Sequence, residues 1–160
     1  MTKEIHMNAP MKKLAVQVMP LFLPNERKIL AEINSFFERA AMYPCKEGIC
    51  FLTDPPSNVA CLLENEHHFL TELEWEHNEI YFNKSMIRRG YRQSIEIAFK
   101  QIASLLSEKF PNICFRIVAS VQFGKHRNVN IHVHIDRQES IISTDLDTYE
   151  QPVMYMILQT

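Results

Sequence analysis

Three glycines in 160 residues is the sharpest shortage in this chain. Backbone that wraps a phosphate or a cofactor needs several, because its amides must approach closely and adopt left-handed conformations. Gly48, Gly90 and Gly124 stand far apart. The Gly-x-Ser-x-Gly elbow, the Walker loop, the dinucleotide fingerprint, the His-Glu-x-x-His helix and paired Cys-x-x-Cys are missing as well. The balance moves from an enzyme toward a binding protein with no chemistry of its own, and no cofactor is expected. Cysteine is also scarce, and Cys45, Cys50, Cys61 and Cys114 read as reduced thiols packed as small hydrophobes. Cys45 and Cys50 flank a turn containing Gly48, which suits half of a zinc site with Cys61 as a third thiol. A matching second pair is absent, so ordinary loop cysteines are expected.

Long apolar runs are missing too. Met1 to Pro10 is mixed polar, unlike an apolar leader, and nothing approaches the roughly 18 apolar residues of a membrane helix. A cytosolic location without a membrane partner is the expectation. Residues 1–10 are expected to form a flexible tail and 11–160 a single domain. There is no excess of basic charge: a net charge of -2 and a pI near 6.4 argue against direct nucleic-acid binding, whose affinity comes from cations neutralising phosphates.

What the chain does have is clear periodicity. Leu14 to Leu23 reads as a first strand stopped by proline. Asn25 then caps a helix with Ile29, Leu30, Ile33, Phe36, Phe37 and Ala40 on one stripe, ended by Tyr43-Pro44. Gly48 to Thr53 and Val59 to Leu63 read as short strands around the turn Asp54 to Asn58. From His67 to Phe82 the chain alternates, Thr71, Leu73 and Trp75 against Glu72, Glu74 and Glu76, with a hairpin turn at His77-Asn78. Ser85 caps a long helix from about Met86 to Phe110, in which Gly90 either starts the regular part or admits another backbone. Ile113 to Phe123 and Val129 to Ile135 form a hairpin whose apolar faces match if Phe123 lies opposite Val129. That register sets Arg116 across from Asp136 and Ser120 across from His132. Gln138 to Gln151 is a long polar connection, and Val153 to Leu158 a closing strand apolar on both sides. The order predicts an α+β domain, a mostly antiparallel sheet with two main helices packed on one face.

Two groups of residues carry candidate chemistry. Asn130, His132, His134 and Asp136 share one face of the penultimate strand, about 7 Å apart from neighbour to neighbour. Imidazole is both a common metal ligand and the side chain best matched to neutral pH, so His132 and His134 are the catalytic candidates, and His126, His132 and His134 the metal candidates, of an alternative reading. Asn130-Ile-His-Val-His134 resembles the motif of the histidine-triad nucleotide hydrolases, which alternates three histidines with apolar residues on a late strand. The resemblance implies a nucleophilic role for His132, while Asn130 stands at the first histidine position and the glycine-rich lead-in is reduced to Gly124. The stretch is similar to the His-x-His-x-Asp-His metallohydrolase motif as well, with Arg137 at the last histidine position. The bland reading is a half-solvated strand whose Asp136 pairs with Arg116.

The second group is acidic. Glu64, Glu66, Glu72, Glu74, Glu76 and Glu79 fall in a stretch without lysine or arginine, and 72, 74 and 76 form a ladder on the expected strand. Such a stripe suits a basic protein partner, because it steers encounter and imitates a nucleic-acid backbone; the bland reading is a solvated edge strand. Trp75 is expected in the core. Lys84, Arg88, Arg89 and Arg92 form a compact basic group at the start of the long helix, an unfavourable end for positive charge, so pairing with the preceding glutamates is expected; phosphate binding is the alternative, without a glycine loop to support it. The leading expectation is a small inhibitor such as an immunity protein or antitoxin, blocking a basic, nuclease-type toxin through these glutamates. A homodimer through an exposed strand is a further, weaker expectation.

Overall fold

The computed structural model describes residues 2–16, 23–46, 48–59, 70–137 and 145–160. The first strand, β1 (Thr2–Met7), pairs antiparallel with the last one from Thr2 opposite Gln159 to Met7 opposite Met154. Residues 2–7 are therefore an edge strand and not the expected tail. Asn8, buried, then opens α1 (Ala9–Val16): its Oδ1 accepts the Met11 amide at 2.9 Å and the Val153 amide at 3.0 Å. This cap, with Met11 and Leu14 buried three residues apart, makes a helix where a strand is expected from Leu14. The remainder of that expected strand, residues 17–22, lies outside the described residues.

Asn25 caps α2 (Glu26–Arg39) as expected, its side chain accepting the Lys28 amide at 3.2 Å. The helix stops at Ala40, short of Tyr43-Pro44, because β2 (Ala41–Cys45) pairs with β3 (Gly48–Leu52) in a small separate hairpin. The expected strand from Val59 lies outside the described residues beyond that position. The strand expected from His67 is instead, from Leu70 on, a helix, α3 (Leu70–His77), followed by β4 (Glu79–Phe82), while residues 67–69 lie outside the described residues. Leucine and glutamate are good helix formers and glutamate is poor in strands, so the two-residue alternation misleads here.

The long helix is interrupted. Asn83 caps a single turn, α4 (Lys84–Ile87), and Gly90 opens α5 (Tyr91–Lys109). Then come β5 (Cys114–Gln122), β6 (Asn128–Ile135), a 3-10 turn at Leu146–Thr148 and β7 (Val153–Gln159). The main sheet is wholly antiparallel in the order β1-β7-β5-β6-β4. On one face Phe115, Ile117 and Val121 of β5 and Val129, Ile131 and Val133 of β6 meet the buried stripes of α2 and α5, which form the main core. The α+β class with two main helices on one face is thus as the sequence indicates.

The β5–β6 register is two residues away from the expected one: Val121, not Phe123, opposes Val129, and Arg116 opposes His134. Phe123 leaves the strand for the turn and is 53% exposed. A slip of two keeps every side chain on its expected face, whereas a slip of one would not. Among the described residues no helix is long and apolar enough to cross a membrane.

Candidate functional site

The second face of the sheet carries the histidines, and it is not open to water. Helix α3 lies over β6, and the 3-10 turn brings Leu146 and Tyr149 onto Val118, Val153 and Tyr155, with Trp75 against the same cluster. Trp75 is half-buried and stacks flat on His132, with ring centroids 4.0 Å apart and planes 3° apart. His132 Nδ1 lies 3.0 Å from the Trp75 carbonyl oxygen. A carbonyl only accepts, so Nδ1 carries the ring proton and Nε2 is the basic nitrogen, 3.9 Å from Glu79 Oε1. Burial lowers the His132 pKa, and the Trp75 carbonyl and Glu79 partly oppose this.

His134 is wholly buried, and among the described residues neither ring nitrogen has a hydrogen-bond partner. Its pKa is pushed down to about 3, first by burial and then by Arg116, Arg137 and His132. It is held as a neutral ring beneath the α3 layer, with no surface to offer a substrate. Beside it the buried Arg116 reaches Asp136 at 2.9 Å, diagonally instead of directly across, and its guanidinium lies 5.1 Å from the centre of the Tyr155 ring. The expected pairing of these two residues forms in spite of the shifted register.

The three candidate metal ligands do not come together. His126 sits in the exposed turn before β6, and His132 lies four strand residues beyond Asn128, about 13 Å further along β6. Among the described residues no three His, Cys, Asp or Glu side chains are grouped to hold a metal. Cys45 and Cys50 belong to the β2–β3 hairpin, where Cys45 opposes Gly48 and Cys50 opposes Tyr43. Burial and the nearby Glu74 carboxylate raise the Cys50 thiol pKa, against the deprotonation zinc requires. Cys61 lies outside the described residues.

The glutamate ladder does not exist as a ladder, because its residues are on a helix. Glu74 points inward and is wholly buried. Its Oε1 accepts the Phe51 amide at 2.8 Å, its Oε2 accepts the Ile135 amide at 2.8 Å, and Arg137 binds both oxygens at 2.7 and 3.0 Å. One turn further on, Asn78 donates to the Phe51 and Val133 carbonyls at 2.6 and 3.0 Å and accepts the Thr53 amide at 2.8 Å. Glu74 and Asn78 together clip the small hairpin to the main sheet. Glu74 is therefore a structural residue and is removed from the partner-binding set, as its side chain reaches no partner.

Glu72 and Glu76 remain exposed one turn apart on α3, and Glu79 is exposed at the start of edge strand β4. Glu64 and Glu66 lie outside the described residues. Asp145, Asp147 and Glu150, around the 3-10 turn on the same side of the sheet, are exposed carboxylates that the motif reading overlooked. A signal for them was present: residues 47–83 and 138–160 hold twelve of the 19 acidic residues and none of the 17 lysines and arginines. The layer over the second face is thus acidic outside, while the cations it meets, Arg116 and Arg137, belong to the sheet beneath. Compared with known proteins, the chain matches no family model, no curated protein and no solved structure.

Proposed function

We propose that this protein works by binding a basic protein partner through the acidic layer formed by α3, the start of β4 and the segment around the 3-10 turn. The observation that carries this reading is the six exposed carboxylates Glu72, Glu76, Glu79, Asp145, Asp147 and Glu150 in a layer without lysine or arginine. Glu72 and Glu76, like charges one helical turn apart, destabilise an isolated helix slightly, which fits selection for a partner instead of for the helix. A surface of one sign accelerates encounter with an opposite one and covers cations that would otherwise meet phosphates. An inhibitor of the immunity or antitoxin type, acting on a nuclease-like toxin in the cytosol, is the finer form of this proposal.

The test is capture from a native lysate at low salt, followed by calorimetry with the purified partner. The triple variant Glu72→Lys, Glu76→Lys, Glu79→Lys is expected to weaken binding at least tenfold at low salt. Unchanged affinity, or a captured partner that is acidic, would remove the acidic layer from consideration. Loss of nuclease activity in the captured partner on adding wild-type protein, but not the triple variant, would support the finer form.

A further inference from the structure

The opposite charge collects at one end of the sheet, where the β5–β6 turn meets the α4–α5 junction. A cleft of about 660 Å³ there is lined by Asn83, Lys84, Ser85, Arg88, Arg89 and Arg127. A second, of about 360 Å³, shares Arg89 and Arg127 and adds Tyr91, Arg92 and Phe123 to its wall. Among the described residues no carboxylate lines either cleft, although Arg92 is held by Glu96 at 2.6 Å. Arg127 Nε is buried with no hydrogen-bond partner among the described residues. Phe123 is exposed and meets Tyr91 edge to face at 5.3 Å.

The backbone here is unusual in a way that favours the arginines. Arg88 and Arg89 adopt φ of 45° and 73°, the left-handed region in which a helix normally ends on glycine. The glycine stands next to them instead, and Gly90 has φ of -84°, open to any residue. Backbone held in a rare conformation is often found where a side chain must be aimed at a ligand.

We infer that these joined clefts bind a single-stranded nucleic acid, with successive phosphates on Lys84, Arg88, Arg89 and Arg127 and an unpaired base on Phe123. Guanidinium groups match phosphate oxygens by two-point hydrogen bonding. Two clefts sharing two arginines suit a repeating anion better than one phosphate, and an exposed aromatic ring at their lip is a platform for a base that is free to stack. The overall charge of -2 is no obstacle, because it averages this end with the acidic layer on the other face.

The experiment is fluorescence anisotropy with a labelled single-stranded oligonucleotide of about a dozen nucleotides, between about 50 and 200 mM salt. The logarithm of the affinity should fall with that of salt with a slope of about -2 to -3, as expected for three or four phosphate contacts. The double variant Arg88→Gly, Arg89→Gly should weaken binding at least tenfold. Lys84→Gln with Arg127→Gln, which leaves those left-handed positions untouched, should do the same. Phe123→Ala should weaken binding about tenfold while leaving the salt slope unchanged, because stacking involves no counterion release. Wild-type affinity in both cation variants would overturn the inference, as would a flat salt dependence. So would displacement of the strand by an equal phosphate concentration of pyrophosphate or mononucleotide, which would make this a site for free phosphates.

Discussion

The acidic layer and the basic end are built in opposite ways. In the layer, the helix α3 turns one glutamate, Glu74, into the structure and leaves Glu72 and Glu76 outside. At the basic end the cations stand on a single helical turn and two loops, with two arginines in left-handed backbone. Charge in the first region is carried by a rigid element clipped to two sheets. In the second it is carried by short connections, where binding residues are commonly found. The net charge describes neither region, because the two signs are separated in sequence and cancel only in the sum.

The largest expected effect separates the layer's structural carboxylate from its surface ones. Glu74→Ala leaves Arg137 without its carboxylate, with only the Ile49 carbonyl to bind among the described residues, and the amides of Phe51 and Ile135 unsatisfied, a change of the kind that costs about 3 to 5 kcal/mol. Glu72→Ala and Glu76→Ala should change stability by no more than about 0.5 kcal/mol. Urea unfolding of the three variants checks this. Equal small effects would show that α3 is not fastened through Glu74.

The next effect depends on pH. His134 has a folded pKa of about 3 against about 6.5 when unfolded, so between these values the unfolded chain binds the extra proton. Stability from this group is complete above pH 6.5 and is lost as pH falls toward 3, by at most about 1.4 kcal/mol for each pH unit. His134→Leu removes both the titration and two buried nitrogens that have no hydrogen-bond partner among the described residues. It should hold or raise stability at pH 7 and flatten the fall between pH 6 and 4, measured by denaturant unfolding at each pH. An unchanged acid limb would place the titration elsewhere.

Much of the fold was legible where burial imposes a regular period. The stripe Ile29, Ile33, Phe36, Phe37 and the alternation of Val129, Ile131 and Val133 each meet the core as read, because one face of each element has to exclude water. Residues 70–77 misled because Glu74 is polar and buried: its worth lies in partners from β3 and β6, distant in sequence, which no local pattern reports. The register differs by two because alternation fixes a face but not the length of a turn, and Phe123 belongs to the turn. His132 and His134 were correctly placed on one face. Their difference, one stacked flat under Trp75 and one sealed with no hydrogen-bond partner among the described residues, arises from the layer above them.

The smallest effect tests whether the basic end trades backbone comfort for the position of its side chains. Arg88 forms the last bond of α4, its amide donating to the Lys84 carbonyl, with φ of 45°. A side chain in this region costs about 1 to 2 kcal/mol against an ordinary conformation, while glycine costs more entropy on folding. The two terms oppose each other, so Arg88→Gly should raise stability by about 1 kcal/mol or less, and Arg88→Ala, which keeps the strain, should not raise it. Thermal unfolding of the two variants side by side isolates the backbone contribution, because both remove the same charge. If glycine and alanine behave alike, the left-handed conformation stores no strain, and the arginines hold these positions without an energetic cost that binding would have to explain.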